Sequence, residues 1–174
     1  MKDMINLGLR LMIVSLLSGL LLGVTNMVTT GPIAEQNAAK ANAARLAVMP
    51  TGGDFQTIDA PFDGIDGAYV NNDGYVFEIT GSGYGSGGIG VTVGIYNDGS
   101  ISGVQLDVSG ETPGLGTKAG NESYFGQYTG KDGSTMDGIS AISGATVTST
   151  AVKNSVRLAL DAFAEIAGEG GAAK

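Results

Sequence analysis

Residues 137–150 carry the densest set of groups in the chain that could take part in chemistry. They read DGISAISGATVTST, and the core at 143–149 reads SGATVTS. Its hydroxyl groups can donate hydrogen bonds, and its small residues let a backbone approach a bulky ligand closely. A helix is expected directly afterwards, and free amide groups at a helix start attract phosphate. The core therefore predicts a phosphate site, although an ordinary N-cap at 148–150 would produce the same pattern. The candidate residues are Ser143, Gly144, Ala145, Thr146, Thr148 and Ser149.

The residue types that the chain lacks exclude several kinds of catalytic and redox chemistry. The 174 residues include no Cys, no His and no Trp. Disulfides and Cys-ligated iron–sulfur clusters are excluded, and so are the usual haem ligand, zinc ligand and general base. We therefore predict no metal site, and a redox role would need an organic cofactor. The net charge of -8 argues against a nucleic-acid partner, because phosphates demand clustered Lys and Arg.

The N-terminal part, residues 1–30, is predicted to be a short cytoplasmic start followed by a transmembrane anchor. Residues 11–29 carry no charge and would span about 28 Å as a helix, close to the roughly 30 Å of a hydrocarbon core. Lys2 and Arg10 precede this run, and the next basic residue is Lys40. This asymmetry places the N-terminus in the cytoplasm and the rest outside. A cleaved secretory signal is the alternative, and it would export the same residues.

Residues 31–53 are predicted to form a juxtamembrane helix and a linker. The segment is rich in Ala, and Pro32 suits a first helical position, although the helix is expected to continue directly from the anchor. Pro50 and the glycines at 52–53 should end it.

The rest of the chain, residues 54–174, is predicted to be one exported domain. Turn signals of the sequence Asn-Asp-Gly at 72–74 and 97–99 lie between apolar runs and predict two hairpins within 54–110. Val104, Leu106 and Val108 alternate with polar residues, as in a half-buried strand. Residues 111–136 are expected to form loops and short helical pieces.

A final helix is predicted over residues 150–166. Val152, Val156, Leu160 and Phe163 share one face of it, and the glycines at 168 and 170–171 should end it. The expected fold class is α+β: one N-terminal transmembrane helix followed by an exported antiparallel-sheet domain with packed helices.

The core SGATVTS resembles the flavinylation motif of FMN-binding domains. In that family a flavin transferase moves FMN from FAD onto the last hydroxyl of a core with the pattern Ser/Thr-Gly-Ala-Ser/Thr-x-Ser/Thr. The resemblance implies one covalent FMN per chain, joined by a phosphoester bond to Thr148, with the other core residues around the cofactor. Asp137 matches the acidic residue upstream of the motif.

A second block, residues 111–116, matches the Glu-Thr-Pro-Gly-Leu-Gly loop of the same domains. Pro113 sets a tight turn together with the next residue, and Gly116 would let the loop close on a flat ring. The resemblance implies that Leu115 packs against the isoalloxazine and that Thr112 and Lys118 donate hydrogen bonds to the ring or the phosphate. A surface turn with a solvated carboxylate is the alternative. The cofactor-binding residues expected here are Glu111, Thr112, Gly114, Leu115 and Lys118.

A third block, residues 83–88, reads GYGSGG and formally contains the dinucleotide pattern G-x-G-x-x-G. That reading requires a helix afterwards, whereas residues 89–96 predict a strand, so the Rossmann interpretation is rejected. The block resembles the Gly-Tyr-Gly segment of the same flavoproteins. Tyr84 is predicted either to contact the flavin or to pack in the hairpin.

Over most of its length, the chain resembles the G subunit of the Rnf complex, an ion-translocating ferredoxin:NAD oxidoreductase. This implies an electron-transport flavoprotein that relays electrons through FMN within a membrane-bound translocase and is not an independent catalyst. The implied partners are the other membrane subunits of the complex and a flavin transferase. The implied location is the cell (inner) membrane, with the FMN domain on the outer, periplasmic side.

Three other interpretations remain open from the sequence. The C subunit of the Na⁺-pumping NADH:quinone oxidoreductase shares the motifs but usually has a larger exported region. A cofactor-free anchored binding domain would explain the anchor and sheet without the flavin. A pilin-type structural protein would need a processing site with a Glu inside the helix start, and none is seen in the sequence.

Overall fold

The computed structural model describes residues 2–51, 53–58 and 63–171, with side chains up to residue 167. The chain divides into two compact units, one up to Asn42 and one from Ala43 onward.

The first element is a single long helix, α1, which runs from Lys2 to Val48 over 47 residues. It is long and apolar enough to cross a membrane, judged by its length and composition. Pro32 lies inside this helix and does not begin a second one. The hydroxyl groups of Thr25 and Thr29 donate to carbonyl oxygens one turn back, so these polar groups are paired within the helix.

The second unit contains a five-stranded antiparallel sheet whose strands are ordered as they occur in the chain. Asn-Asp-Gly sequences lie at the turn between the second and third strands and at the turn between the fourth and fifth strands, so both predicted hairpins are confirmed. Gly99 has φ of +86° in the second turn, a conformation that favours glycine. The strands are β1 (Gln56–Thr57), β2 (Gly67–Val70), β3 (Gly74–Gly81), β4 (Ile89–Tyr96) and β5 (Ile101–Asp107).

The two faces of the sheet bury different side chains. Phe77, Ile79 and the β4 residues Val91 and Val93 belong to the main core. The opposite face carries Val76, which packs in a smaller cluster with Val48 and Met49 at the end of α1. This alternation follows from the two-residue period of a strand.

Short helical pieces joined by loops lie between residues 116 and 138, in agreement with the loops and short helical pieces predicted for residues 111–136. Tyr124 and Tyr128 point from them into the core, with their rings edge to face at 6.0 Å. Burial raises the pKa of the Tyr128 hydroxyl, because the charged form would lose its water. The pieces are 3-10 turns at Gly116–Gly120, Gly126–Tyr128 and Met136–Gly138, and a short helix α2 at Glu122–Phe125.

The last helix, α3, runs from Thr146 to Gly171, so both ends predicted for it were wrong. Its apolar face is as predicted, since Val152, Val156 and Leu160 are buried in the main core. The start lies four residues earlier than predicted, because Ser and Thr are weak helix formers and their run resembled a loop. Residues 146–149 of the motif therefore form the first turn of α3.

Candidate functional site

A hydrogen bond between two buried side chains forms the centre of the site. The Thr148 hydroxyl donates to Glu111 Oε2 at 2.9 Å. Thr148 is 1% exposed and Glu111 is 4% exposed. The other carboxylate oxygen, Oε1, accepts a hydrogen bond from the Gly85 amide at 3.1 Å. One carboxylate thus joins the glycine block, the 111–116 loop and the start of α3, which lie far apart in the sequence.

Glycines make room for this carboxylate. A Cβ atom on Gly83 would collide with Glu111 Oε1, and a Cβ atom on Gly116 would collide with Oε2. Gly85 is equally restricted, because its Cβ would overlap the carbonyl oxygen of Gly110. Gly83 is therefore needed for close packing against the Glu111 carboxylate, and Gly85 for close packing against the neighbouring Gly110.

Two similar turns bring the 111–116 loop and the 143–149 core together. In the first turn, the Leu115 amide donates to the Thr112 carbonyl, and Gly114 has φ of +77°. In the second, the Ala145 amide donates to the Ile142 carbonyl, and Gly144 has φ of +81°. Both fit a turn that requires positive φ at its third residue. Leu115 Cδ2 lies 4.0 Å from the position that a Cβ on Gly144 would occupy, so the two turns lie side by side.

Ser149 fixes the start of α3. Its hydroxyl oxygen accepts a hydrogen bond from the Ile142 amide at 2.9 Å, and its carbonyl accepts one from the Tyr124 hydroxyl at 3.2 Å. The Ser149 amide donates to the Ala145 carbonyl. Among the described residues, no hydrogen bond uses the amide groups of 146–148. Those amides are available to an acceptor such as phosphate.

Each of the three motifs also contains one exposed apolar side chain. Tyr84 is 74% exposed, Leu115 is 49% exposed and Val147 is 52% exposed. Each is adjacent in sequence to a residue that touches Glu111. Tyr84 is therefore not packed in the hairpin, which was one of its two predicted placements.

Thr146 differs from Thr148 in its surroundings. It is the first residue of α3 and is exposed. It lines a cleft of about 520 Å³ together with Val147, Thr150, Ser82 and Leu158. The Thr146 side chain thus faces open space, whereas the Thr148 side chain is buried.

Asp137 lies against α3 through two basic side chains. Its carboxylate pairs with Arg157 Nη2 and lies 3.4 Å from Lys153 Nζ. The Lys153 ammonium also donates to the Asp137 carbonyl at 2.9 Å. Asp137 is exposed, so these contacts hold the loop before the motif without burying the charge.

The remaining predicted site residues make fewer contacts with the centre formed by Glu111 and Thr148. Ser143 and Lys118 are exposed, and Thr112 is half-buried. Within the described part of the chain, no hydrogen bond uses the side chain of Ser143, Thr112 or Lys118. Sequence reasoning missed the packing role of Gly83 and Gly116, for which a glycine next to each motif was the available signal.

The glycine-lined centre and the free amides at the start of α3 together form a candidate phosphate-binding site. The family model described as the FMN-binding domain matches residues 83–161. This span contains all three motifs.

Similarity to curated proteins extends over nearly the whole chain. The G subunit of the Na⁺-translocating ferredoxin:NAD⁺ oxidoreductase complex of Acetobacterium woodii is 33% identical, and the match covers 93% of this chain and 92% of that protein. The G subunit of an ion-translocating oxidoreductase complex of Cereibacter sphaeroides is 32% identical, over 90% of this chain and 82% of that protein. The G subunit of a proton-translocating ferredoxin:NAD⁺ oxidoreductase complex of Clostridium ljungdahlii is 29% identical, over 87% of each chain. The chain therefore belongs to the family of G subunits of ion-translocating oxidoreductase complexes.

Proposed function

We propose that this chain is the electron-carrying subunit of a membrane-bound, ion-pumping ferredoxin:NAD oxidoreductase. It would relay electrons through one FMN that is covalently attached by a phosphoester bond to a threonine at the start of α3. The observation that carries this proposal is the meeting of three distant motifs at the carboxylate of Glu111. All three motifs lie within the part of the chain that matches the FMN-binding domain.

The residues at the site fit an FMN. The amide groups of 146–148 can donate to its phosphate, where the positive end of the α3 dipole also favours an anion. The exposed side chains of Tyr84, Leu115 and Val147 offer apolar surface to a flat ring. Bound FMN supplies one- and two-electron transfer, and the chain's own residues bind and orient it. Such a function needs no general base, in agreement with the lack of His.

Thr148 is the threonine that we propose as the point of attachment. It holds the last hydroxyl of the six-residue pattern at 143–148, which is the position that the resemblance selects. Its side chain lies at the centre where the three motifs meet, beside the free amides of the first turn of α3. The hydroxyl is buried and already donates to Glu111, so the transferase would act on a form in which the start of α3 has opened.

Thr146 is the alternative acceptor. Its side chain is exposed and borders the 520 Å³ cleft, so a transferase could reach it without any opening of α3. It occupies the earlier hydroxyl position of the core, which the resemblance does not select. The two threonines differ by two residues, and a peptide fragment that carries the flavin distinguishes them.

We further propose that α1 anchors the chain in the cell membrane, with Lys2 in the cytoplasm and the FMN domain outside. The other membrane subunits of such a complex would be its partners, and a flavin transferase would attach the cofactor during maturation. The relatives that resemble this chain are named as subunits of such complexes, which supports this assignment.

The test is intact mass spectrometry of the full chain co-expressed with a flavin transferase. We expect an increment of one FMN less one water, and a flavin-fluorescent band that survives boiling in detergent. We expect Thr148→Val to lose the increment, while Thr150→Val, an exposed threonine on the same helix, keeps it. Fragmentation of the unsubstituted protein would locate the modified residue directly, even where a variant folds poorly.

Two other outcomes would change the proposal. A modified Thr146 in the wild-type fragments would select the alternative acceptor. An unmodified, non-fluorescent wild-type protein would overturn the covalent flavin assignment and would favour a cofactor-free binding domain.

A further inference from the structure

The Thr148 hydroxyl is closed off in the unmodified chain, which is the form that a flavin transferase would receive. The residue is 1% exposed, and its hydroxyl lies 2.9 Å from Glu111 Oε2. Attachment requires the hydroxyl oxygen to attack the FMN phosphorus of FAD. The bond from that phosphorus to the AMP phosphate oxygen breaks, AMP leaves and the hydroxyl proton is released. A dinucleotide cannot reach an oxygen that is so deeply enclosed, so part of the enclosure has to move first.

The Glu111 side of this enclosure is fixed by packing. A Cβ on Gly83 or on Gly116 would collide with the carboxylate oxygens, so the backbone lies close to the carboxylate on both sides. Oε1 also accepts the hydrogen bond from the Gly85 amide. Movement of Glu111 would therefore require the glycine block and the 111–116 loop to rearrange together.

The start of α3 is the part of the enclosure that can move. Residues 146–150 read TVTST, and these residue types are weak helix formers. Gly144, with φ of +81°, lies just before them. Helix ends open more readily than helix centres. Val152 and Val156 are fully buried in the main core, so an opening that begins at Thr146 would end before them.

Two hydrogen bonds hold this first turn in place in addition to the contact with Glu111. The Ile142 amide donates to Ser149 Oγ at 2.9 Å, and the Tyr124 hydroxyl donates to the Ser149 carbonyl at 3.2 Å. A hydroxyl has one hydrogen, so the 3.3 Å bond between the two tyrosine hydroxyls is donated by Tyr128. Tyr124 is buried and lies outside the 143–149 core, so it can be changed without altering the motif that a transferase would read.

We propose that the first turn of α3 is a gate over the acceptor hydroxyl of Thr148, and that the rate of FMN attachment follows how often this gate opens. Tyr124 is a positioning residue that holds the gate closed. This inference rests on the proposed attachment to Thr148. It concerns the unmodified chain alone, because attachment removes the hydroxyl hydrogen and, with it, the bond to Glu111. The closed arrangement therefore belongs to the precursor.

The experiment follows FMN transfer to the purified, unmodified full chain in detergent, with excess FAD and a fixed amount of transferase, by intact mass. Loss of one hydrogen bond shifts an opening equilibrium by about fivefold. We therefore expect Tyr124→Phe to gain FMN about five times faster than the wild type. Tyr128→Phe is the matched control, because both variants lose the bond between the tyrosine hydroxyls and only Tyr124→Phe loses the bond to α3. Tyr128→Phe should gain FMN at the wild-type rate.

Hydrogen exchange measures the opening of the gate without the transferase. In the unmodified wild type, we expect the amides of residues 149–151 to be less protected than those of residues 156–160, which lie on the part of α3 packed against the core. Tyr124→Phe should lower the protection at 149–151 by the same factor by which it raises the rate of attachment. A purely structural role for this tyrosine would not link the two quantities.

The outcomes separate the gate from the function beneath it. A wild-type chain that never gains FMN would remove the proposed function and the gate with it. FMN found on Thr146 would overturn the gate and leave the flavin in place. An attachment rate of Tyr124→Phe equal to or below that of the wild type would overturn the gate alone. An equal increase in Tyr128→Phe would do the same, because it would indicate a general loosening of the core.

The wild-type exchange measurement decides the question even where Tyr124→Phe folds poorly. Equal protection at 149–151 and 156–160 would mean that the start of α3 opens only when the whole helix unfolds, and no local gate would then exist.

Discussion

The Ser102 hydroxyl donates a 2.6 Å hydrogen bond to the carbonyl oxygen of Val48. Val48 is the last residue of α1, and Ser102 lies on β5. The bond satisfies a carbonyl that the end of the helix leaves without an intrahelical partner. The face of the sheet opposite α3 therefore binds the residues at the end of α1 through specific contacts.

The first prediction concerns Gly94, which makes this contact possible. A Cβ on Gly94 would lie 2.8 Å from the Val48 carbonyl oxygen and would also collide with Ser102 Oγ. We expect Gly94→Ala to lower the free energy of unfolding by about 1–3 kcal/mol, as overpacking does. Urea denaturation of detergent-solubilised protein would measure this. Gly133→Ala is the control, because a Cβ there meets no atom within 4 Å. Equal stability of the two variants would contradict the close packing.

The second prediction concerns Arg45 in the last turn of α1. Its Nε donates to Glu78 Oε1 at 2.7 Å, its Nη2 donates to the Tyr69 hydroxyl at 2.9 Å, and its guanidinium lies 3.8 Å from the centre of the Tyr69 ring. A Lys side chain cannot make both the planar stacking and the forked hydrogen bonds.

We therefore expect Arg45→Lys to destabilise the protein by about 1 kcal/mol and Arg45→Ala to destabilise it more. Thermal unfolding would measure the change. Lys40→Ala on the exposed part of the same helix should have little effect. A stability of Arg45→Lys equal to the wild type would mean that the fork and the stacking contribute nothing measurable.

The third prediction is a pH dependence that comes from Asp132. Its Oδ1 accepts hydrogen bonds from the hydroxyl and amide groups of Ser134 and Thr135. These bonds, with those of Ser134 first, lower the pKa of Asp132 from 3.8 to about 2. The folded pKa is below the unfolded one, so this stabilisation is complete above about pH 4 and is lost as the pH falls toward 2.

In acid unfolding monitored by circular dichroism, we expect Asp132→Asn to be less stable than the wild type at neutral pH, with the gap closing below pH 4. The exposed Asp161→Asn tests for a general effect of removing one carboxylate. A stability gap of the same size at pH 2 and at pH 7 would argue against the role of these hydrogen bonds.

The fourth prediction concerns the orientation of the chain in the membrane. Because the native chain has no Cys, single cysteines can be introduced without removing any others. A membrane-impermeant maleimide added to intact cells whose outer membrane has been permeabilised should label Ser123→Cys in the FMN-binding domain. It should label Lys2→Cys only after the cells are lysed. The reverse pattern would place the FMN domain on the cytoplasmic side.

The sheet was predictable because its signals are local. Asn-Asp-Gly turns and alternating apolar residues set the hairpins and their faces whatever the rest of the chain does. The start of α3 was not predictable, because it depends on a tertiary contact. Ser149 accepts a hydrogen bond from the Ile142 amide and thereby extends the helix into residues whose own propensity is low.

The same distinction applies to the site. The resemblance of the motifs to a known family identified the three segments that meet at the site. Glu111 and Thr148 were both among the predicted residues. Their direct contact could not be predicted, because residues 111 and 148 are brought together only when β5 and α3 pack on the same core. The exposure of Thr146 and the burial of Thr148 likewise depend on where the first turn of α3 begins. Sequence spacing alone does not determine which hydroxyl faces solvent.

The tight enclosure of Glu111 also limits how the chain can change. A larger residue at 83 or 116 would displace the carboxylate, and a displaced carboxylate would release the hydroxyl at 148. Substitutions in the glycine block, the 111–116 loop and the start of α3 should therefore show strong epistasis, with the effect of one depending on the others. Replacing one of these three segments alone with the corresponding segment of a relative should disrupt the site more often than replacing all three at once.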